Sequence, residues 1–333
     1  MKFQRLYNLL ESLDPKPIKS GTENAVAISK PYKVLISKNE LGYPSIFFKT
    51  TSTRLPSSSD LKHLIVEIGH EYNLRLGNKE KLNDTFSKIT LTSADPELLS
   101  IFCSCISSLI NLIKIPTTDV VFDKEFSKLI EIFRSLESTP RKKIRGLWAE
   151  LFLIQESSCV ESAMKYWHES PNATYDFSDK KFHIEVKSTT SDIREHAFSL
   201  RQAHSKDEHK CFIASVLLED NHKGANIKDL VNRIKNKLTK TPNLQLKLDT
   251  QVTSLLGSDF LKSNSHRFNV SYARKHLKFC NLDDIPKIDA SYLEDPQLSE
   301  IKFKSNIEGA KALSKKECNV DTKLLKTMAR HHL

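Results

Sequence analysis

Glycine is scarce in this sequence, with only 8 glycines among 333 residues. Phosphate-binding loops need glycine because their backbone N–H groups must approach a phosphate closely. Neither GxxxxGK nor GxGxxG occurs in the chain. The sequence therefore argues against the common glycine-rich nucleotide-binding loops.

Paired cysteines are also lacking. The six cysteines form no CxxC pair and do not cluster with histidine, which argues against a structural zinc site. Most of them lie in apolar stretches, as expected of buried free thiols in a reducing cytoplasm. They are Cys103, Cys105, Cys159, Cys211, Cys280 and Cys318.

Long apolar runs are absent as well. The most apolar segment, residues 101–115, contains Ser and Asn and is too short to span a bilayer. The first 14 residues are amphipathic, without the apolar stretch and cleavage site of a signal peptide. No spacing of Ser, His and Asp or of Cys and His indicates nucleophilic catalysis. We expect a soluble cytoplasmic protein with no membrane partner.

Positive charge is present in excess and unevenly placed. The net charge is +10; residues 1–140 carry 18 Lys/Arg and 16 Asp/Glu, and residues 141–333 carry 33 and 25. A basic excess in the second half favours a polyanionic partner, most often a nucleic acid. Charge alone fits an ordinary soluble basic surface equally well.

The length and the pattern of elements predict two domains. Residues 24–94 are rich in strand-like alternation, and a helix then begins cleanly at Asp95, with Pro96 at its first position. Pro116 ends that helix near Ile115, and "FDKEFSKLIEIFRSLES" predicts a second. We expect an α+β domain over residues 1–138 and a second domain with a C-terminal extension over residues 139–333.

The second half predicts an α/β fold, so that the whole chain is α+β. "IRGLWAELFLIQES" is apolar nearly all round and predicts a buried helix. "KKFHIEVKST" and "CFIASVLLE" predict strands, and "NIKDLVNRIKNKLT" predicts an amphipathic basic helix. Residues 249–262 look helical, "RFNVSYAR" and "EIKFKS" predict strands, and the last twenty residues predict a terminal helix or a loose tail.

Most of the candidate catalytic residues lie in one segment, "YDFSDKKFHIEVKST", residues 175–189. With a side-chain period of two, the apolar residues of the strand face the core and the polar ones face outward. The apolar set is Phe182, Ile184 and Val186, and the outward set is His183, Glu185 and Lys187. If Asp179 and Lys180 form the centre of the preceding turn, Asp176 lies opposite His183, on the face of Glu185.

Two converging carboxylates with a nearby ammonium suit a divalent metal. Mg²⁺ prefers oxygen ligands and takes only one or two protein carboxylates, keeping water and substrate oxygens as the remainder. Asp176 and Glu185 would supply the carboxylates, and Lys187 would position water or neutralise charge on a phosphodiester. The alternative is an exposed strand on which Glu185 and Lys187 simply pair.

These residues resemble the motif of the PD-(D/E)xK nuclease superfamily, with Asp176 followed by Glu185-Val186-Lys187 at the end of a hairpin. The superfamily core is a helix, a three-stranded meander, a helix and a strand, and the predicted order over residues 142–240 is the same. The resemblance implies a restriction-endonuclease-like core. Members of the superfamily often have an additional metal-binding Glu on the first helix. Glu150 occupies that place.

Glu150 lies among apolar positions of its helix, where a carboxylate is costly unless it is paired or binds metal. Metal ligation and a salt bridge to Lys143 are about equally supported. The resemblance therefore implies a catalytic set of Asp176, Glu185, Lys187 and Glu150, in which the three carboxylates hold Mg²⁺, with Mn²⁺ as a possible substitute.

A narrower resemblance is to a family named only for its PD-(D/E)xK motif, whose members occur beside restriction-modification and phage-defence genes. The family implies a Mg²⁺-dependent DNA endonuclease, with DNA, other defence subunits or a second copy as partners. Tyr175 stands where the superfamily name has Pro, a position that varies widely. The similar segments contain Trp167, Asp176-Phe177, Ile184 to Thr189, Arg194-Glu195-His196 and Ser199 to Gln202.

Several residues are candidate nucleic-acid contacts, each with an ordinary alternative. Gln202 completes a Ser199-Leu200-Arg201-Gln202 capping box, which is the safer role, although the superfamily often has a Gln contacting the site here. The other candidates could equally be solvated loop residues or an exposed helix start. They are Arg141, Lys142, Lys143, Arg145, Arg194 and His196.

Two further hypotheses remain beside the DNA endonuclease. One is a catalytically silent subunit that uses the nuclease fold to bind DNA or to act as a scaffold, against which the intact set of Asp176, Glu185 and Lys187 argues. The other is RNA cleavage, for which no RNA-binding signature is present. The first domain would recognise DNA or a partner, and its near-neutral charge slightly favours a partner.

Overall fold

The structure is a computed structural model that divides into two compact units, described separately below. The first unit comprises Met1–Thr139 and Gln245–Ser258, and the second comprises Pro140–Leu244 and Asp259–Leu333. The division at residues 139/140 lies one residue from the expected boundary, whereas residues 245–258 belong to the first unit. The residues described are 3–17, 21–29, 32–53, 55–77, 80–136, 138, 143–168, 173–179, 182–204, 210–289, 291, 301–314, 316–317 and 323–329.

The first 139 residues contain three helices and seven strands among the described residues. These are α1 (Phe3–Ser12), β1 (Thr22–Ala27), β2 (Val34–Lys38), β3 (Pro44–Thr51), β4 (Ser57–Leu61), β5 (Leu64–Leu76), β6 (Glu80–Leu91), α2 (Pro96–Leu112), β7 (Thr117–Thr118) and α3 (Asp119–Ser135).

Five of these strands close into a ring in the order β1-β2-β3-β6-β5, because β1 pairs with both β2 and β5. The β1–β5 pair is parallel and the others are antiparallel. The β5–β6 register shifts between Glu67 and His70, where Gly69 has φ +68, a left-handed conformation that favours glycine at a bulge. The core inside the strands consists of Ala25, Leu35, Phe47, Leu74 and Phe86.

Helices α2 and α3 each begin directly after a residue whose side chain caps the helix N-terminus, Asp95 for α2 and Thr118 for α3. The Asp95 side chain accepts the N–H groups of Glu97 and Leu98, as its sequence position predicts. α3 begins three residues before the predicted "FDKEF" start, because the Thr118 hydroxyl accepts the N–H of Val121.

The remainder of the chain adds seven helices and seven strands among the described residues. These are α4 (Ile144–Glu156), α5 (Val160–Tyr166), β8 (Phe177–Asp179), β9 (Phe182–Thr189), β10 (Glu195–Ser199), α6 (Leu200–Ala203), β11 (Lys210–Leu217), β12 (Asp220–Ala225), α7 (Ile227–Lys237), α8 (Pro242–Leu256), α9 (Val270–Lys275), β13 (Lys278–Asn281), β14 (Lys302–Asn306) and α10 (Lys323–Met328). Helix α8 overlaps the helical segment predicted over residues 249–262 but starts earlier, with Pro242 in its first turn.

The second unit is built on a four-stranded mixed sheet in the order β13-β11-β9-β8. β8 and β9 form an antiparallel hairpin, β9 and β11 are parallel, and β11 and β13 are antiparallel. β11 is buried along almost its whole length, as expected of a central strand with a parallel neighbour. Helix α4 packs on β9 and α7. The mixed α and β architecture agrees with the predicted α/β class.

Strand β10 does not continue the sheet as the third strand of a meander. It pairs with β14 in a separate two-stranded sheet. Its alternating residues His196 and Phe198 are buried, and the Phe198 ring lies 4.9 Å from the ammonium of Lys187 on β9. The place beside β9 is taken by β11 instead, so the expected three-stranded meander is wrong in this detail.

Two C-terminal segments test the strand predictions. Lys302 to Ser305 of "EIKFKS" lie in β14, as predicted, and Glu300 lies outside the described residues. "RFNVSYAR" was expected to be a strand, but Val270–Lys275 is helical because Asn269 accepts the N–H groups of Ser271 and Tyr272 and so caps a helix. The terminal segment contains α10, whose Leu324, Leu325 and Met328 are buried.

The cysteines of the described residues form no disulfide with one another. Cys103, Cys105, Cys211 and Cys280 are buried, and Cys159 is exposed. Cys318 lies outside the described residues. Within the described part of the chain, no helix combines the length and apolar character needed to cross a membrane.

A buried ion pair lies among the strands of the first unit. Glu23 is 6% exposed, and its Oε2 lies 2.9 Å from the Lys88 ammonium. Its Oε1 accepts a hydrogen bond of 2.6 Å from the Ser37 hydroxyl. The Lys88 ammonium also lies 5.3 Å from the centre of the Phe47 ring and 5.6 Å from that of Tyr72. A second carboxylate, that of Glu67, lies 3.8 Å from the Lys88 ammonium, so Glu23 is the nearer of its two acidic partners.

Replacing Glu23 should destabilise the first unit, since it leaves the poorly exposed Lys88 ammonium with only the more distant carboxylate of Glu67. We expect Glu23→Leu to cost about 2–3 kcal/mol, and Glu23→Leu combined with Lys88→Met to restore most of that loss. Urea unfolding by circular dichroism, with hydrogen exchange of β1–β6, measures both. Glu71→Leu, at an exposed position of β5, is the matched control. A Glu23→Leu protein as stable as this control would contradict the prediction.

Candidate functional site

The β8–β9 hairpin sets the position of the predicted motif residues. Phe177 pairs with Ile184 and Asp179 with Phe182. Of the two residues expected at the centre of the turn, Asp179 is the last residue of β8, and Lys180 lies outside the described residues. Continuing the observed register by one residue brings Asp176 level with Glu185 instead of His183. A shift of two residues keeps the same face of the strand, because side chains alternate with period two.

Asp176 is held rigidly at this place. It is 5% exposed, and its Oδ2 accepts a hydrogen bond of 2.7 Å from the N–H of Val186. Its backbone carbonyl accepts the N–H of His168 at 2.9 Å. The carboxylate therefore lies beside the backbone that carries Glu185.

Glu150 projects from the buried side of α4 and is 0% exposed. Its Oε2 accepts a hydrogen bond of 2.8 Å from the Trp167 indole N–H and lies 2.9 Å from Nε2 of His168. Lys143, the alternative partner considered from the sequence, is exposed at the N-terminus of the helix. Of the two alternatives, the surroundings of Glu150 favour a buried polar site over the surface salt bridge.

Glu150, His168 and Asp176 form a compact cluster. One ligand atom from each, a carboxylate oxygen or a ring nitrogen, lies within 4.8 Å of the others. His168 was not among the residues singled out from the sequence. A signal for it was available, because His168 follows Trp167, which belongs to the family-like pattern, and comes shortly before the motif hairpin.

Glu185 lies next to this cluster but outside the group of three. Its Oε1 lies 2.8 Å from the Lys187 ammonium and accepts a hydrogen bond of 3.1 Å from the Gln202 amide. Its Oε2 is buried and accepts no hydrogen bond within the described part of the chain. The structure thus groups Glu150 and Asp176 with His168, and places the third predicted carboxylate in contact with Lys187.

Gln202 combines the two roles considered for it. Its Oε1 accepts the N–H of Ser199, and the Ser199 hydroxyl accepts the N–H of Gln202, which completes the capping box of α6. Its amide nitrogen donates to Glu185 and to the Thr174 carbonyl. The cap therefore fixes the Gln202 side chain against the motif strand, and its amide is engaged within the protein.

Arg194 and His196, both predicted phosphate contacts, are buried structural residues in the fold. Arg194 is 6% exposed and donates to the carbonyl and hydroxyl of Ser215 and to the His276 carbonyl. His196 is 4% exposed, with Nε2 2.9 Å from the Ser215 hydroxyl. Arg194 directly precedes β10 and His196 lies within it, and both side chains contact Ser215 of β11.

The remaining predicted contacts lie at the start of α4. Lys143 and Arg145 are exposed, and the Arg145 carbonyl accepts a hydrogen bond of 3.3 Å from the Ser188 hydroxyl. This contact places Arg145 beside the end of the strand that carries Lys187. Arg141 and Lys142 lie outside the described residues.

The donors at this site fit a divalent cation. Two buried carboxylates and an imidazole within 4.8 Å offer both oxygen and nitrogen ligands. The buried Glu185 Oε2 is a further acceptor that no donor satisfies among the described residues. A buried carboxylate oxygen without a donor is costly, and a cation would satisfy it. The residues that would hold the cation are Glu150, Asp176, His168 and Glu185.

Comparison with known proteins gives one match. A family model described as "Putative PD-(D/E)XK family member, (DUF4420)" matches residues 4–308, which is nearly the whole chain. Neither a curated protein nor a solved structure matches. The matched range contains all the residues of the site described above.

The buried His196 ring should remain neutral well below the pH at which an ordinary histidine protonates. Burial, together with the positive charges of Lys187 and Arg194, lowers the pKa of His196 to about 4. A depressed pKa means that the folded protein binds this proton only as the pH falls through about 4. We expect NMR of the ring to show a neutral imidazole at pH 5.5, with His196→Asn identifying the signal. Protonation near pH 6.5 would contradict the burial described here.

Proposed function

This chain belongs to the DUF4420 family, described as "Putative PD-(D/E)XK family member", and we propose that it is a divalent-metal-dependent nuclease that hydrolyses phosphodiester bonds in DNA. The observation that carries the proposal is the convergence of Glu150 and Asp176 beside the Glu185–Lys187 pair. A metal-assisted phosphodiesterase needs carboxylates to hold the cation and a cationic group near the phosphate. Here three carboxylates and one ammonium lie together at one edge of a sheet.

The carboxylates and His168 are proposed to hold the cation. When bound, a divalent cation would neutralise the charge of the phosphodiester and polarise it towards attack. Hydrogen bonds from Trp167 to Glu150 and from the Val186 N–H to Asp176 orient the two carboxylates. Such outer contacts hold ligands in position before a cation arrives.

Lys187 is proposed to act on the attacking water and on the developing charge. Its ammonium contacts Glu185 at 2.8 Å and lies over the Phe198 ring at 4.9 Å, so that two groups restrict its position. An ammonium has three donors and no acceptor. One donor can hold Glu185 while another orients water or stabilises a phosphate oxygen.

Hydrolysis adds the elements of water across a P–O bond. The water oxygen forms a bond to phosphorus, one P–O ester bond breaks, and the leaving oxygen takes up a proton. Glu185 is proposed to accept a hydrogen bond from the water through Oε2, for which the described residues supply no donor. The protein's contribution is therefore orientation and charge, supplied by groups fixed before the substrate binds.

DNA is proposed as the substrate because of charge. The basic excess lies in residues 141–333, with 33 Lys/Arg against 25 Asp/Glu. Exposed Lys143 and Arg145 lie beside the end of the motif strand, where a backbone phosphate could reach the site. We extend the proposal to a restriction or phage-defence endonuclease, which acts with other defence subunits or as a homodimer.

The proposal also includes a role for the first unit and a cellular location. The first unit, rich in strands, is proposed to recognise DNA or a partner. A cytoplasmic location is proposed because four of the described cysteines are buried and form no disulfide with one another, as expected in a reducing compartment.

The second candidate is a catalytically silent subunit that binds DNA through the same fold. The capping box that turns the Gln202 amide onto Glu185 resembles the packing of a purely structural strand. Against it stands the buried Glu185 Oε2, which accepts no hydrogen bond from the residues that the structure describes and for which a structural strand has no use.

Cleavage of plasmid DNA in Mg²⁺ or Mn²⁺ tests the two candidates. We expect wild-type protein to cleave, and Asp176→Asn and Lys187→Ala each to lower the rate at least about a hundredfold. Asp176→Asn keeps the shape and an acceptor for the Val186 N–H. The matched controls are Glu195→Gln and Lys304→Ala, an exposed ion pair on β10 and β14, and should cleave as wild type does.

Equal cleavage by all five proteins would contradict the site. Tight DNA binding without cleavage by the wild type in both cations would favour the silent subunit. Preferential cleavage of a single-stranded RNA of the same sequence would replace DNA as the substrate.

A further inference from the structure

His168 is placed where a hydrogen-bond donor and a metal ligand are both chemically possible. Its Nε2 lies 2.9 Å from Oε2 of Glu150, and its side chain is 14% exposed. The nitrogen of a neutral imidazole can carry a proton and donate to that oxygen, or present a lone pair to a cation.

We infer that His168 is a direct ligand of the bound cation, and that it makes the site prefer a transition-metal cation such as Mn²⁺ to Mg²⁺. This inference rests on the proposed function for the presence of a cation in the site. It adds the identity of a ligand outside the carboxylate set and the class of cation that follows from it.

The distances fit one shared cation. In six-coordinate geometry with metal–ligand bonds of about 2.1 Å, neighbouring ligand atoms lie about 3 Å apart. The separation of 2.9 Å between His168 Nε2 and Glu150 Oε2 is that of two adjacent ligands. A ligand atom of Asp176 lies within 4.8 Å of both, so the third donor needs little movement. The cation would take the place of the hydrogen bond between the ring and the carboxylate.

The position of the ring is fixed by its backbone. The His168 N–H donates to the Asp176 carbonyl, and the preceding Trp167 donates from its indole to the same Glu150 oxygen. His168 itself has φ +39, in the left-handed region that few side chains adopt. Such a conformation persists where the surroundings impose it, and here it directs the imidazole at the two carboxylates.

A nitrogen ligand changes which cation the site prefers. Mg²⁺ favours oxygen ligands in near-ideal octahedral geometry and retains its waters strongly. Imidazole suits transition metals, whereas purely carboxylate and water sites suit Mg²⁺. Replacing one oxygen donor by the His168 nitrogen therefore lowers the affinity for Mg²⁺ more than that for Mn²⁺. An all-carboxylate site made of Glu150, Asp176 and Glu185 would show no such bias.

The rival role for His168 is purely structural, as a donor that holds Glu150 in place. Both roles predict that removing His168 disturbs the site, so activity alone does not separate them. Only direct ligation places a nitrogen nucleus in the coordination sphere of the cation.

Asparagine is the most informative replacement. It tolerates the left-handed backbone that His168 adopts, and its side-chain amide N–H can still donate to the Glu150 carboxylate. His168→Asn therefore preserves much of the structural role and offers no imidazole ligand. His222→Asn, at an exposed position on β12, is the matched control.

The experiment uses the full-length protein with one equivalent of Mn²⁺. Pulsed EPR should show coupling to a directly bound nitrogen in the wild type and in His222→Asn, and none in His168→Asn. Calorimetric titrations with Mn²⁺ and with Mg²⁺ give the affinity ratio of each protein. We expect the preference for Mn²⁺ to fall by at least about tenfold in His168→Asn.

Absence of nitrogen coupling in the wild type would overturn the inference, as would an unchanged preference in a folded His168→Asn protein. Should His168→Asn fail to fold, the wild-type spectrum alone decides. Stoichiometric Mn²⁺ binding without nitrogen coupling would overturn the role of His168 and leave the proposed nuclease intact. Binding of neither cation would overturn both, whereas nitrogen coupling without cleavage of any nucleic acid would overturn only the nuclease.

Discussion

The hydrogen bonds that hold the carboxylate of Glu150 inside the second unit are the interaction on which the site depends. A carboxylate with no solvent exposure costs several kcal/mol unless other groups compensate it. Its Oε2 is hydrogen-bonded to the Trp167 indole and to the His168 ring. Both residues lie just after α5, in the segment that leads to the motif hairpin. The same contacts therefore bring the segment carrying Asp176 against helix α4.

The sheet then arranges the remaining groups around this point. The hairpin brings Asp176 to the level of Glu185, and the parallel pairing of β9 with β11 buries the strand that carries both Glu185 and Lys187. Strand β10 covers Lys187 with the Phe198 ring, and α6 turns Gln202 onto Glu185. Each polar side chain is thus restrained by an element whose own formation has a local cause, such as the Ser199 cap. Restraint of this kind is what a preorganised site requires.

Much of this arrangement could be predicted from local sequence patterns. Alternation along β9 assigned Glu185 and Lys187 to one face, and the apolar surroundings of Glu150 marked it as a buried carboxylate. Caps at Asp95 and Ser199 predicted helix starts because their hydrogen bonds involve only neighbouring residues. Long-range pairing was less accessible: the departure of β10 from the sheet depends on β14, about a hundred residues later. His168 was not predicted as a site residue, because a left-handed backbone conformation brings its ring to Glu150 and no periodic sequence pattern marks that conformation.

A crystal structure of the protein grown with Mn²⁺ tests most directly whether this buried cluster is a metal centre. Anomalous scattering would locate the cation without assumptions about its ligands. The account predicts one strong peak about 2.1 Å from carboxylate oxygens of Glu150 and Asp176. A structure in which Mn²⁺ binds elsewhere, while Glu150 keeps only its hydrogen bonds to Trp167 and His168, would contradict it.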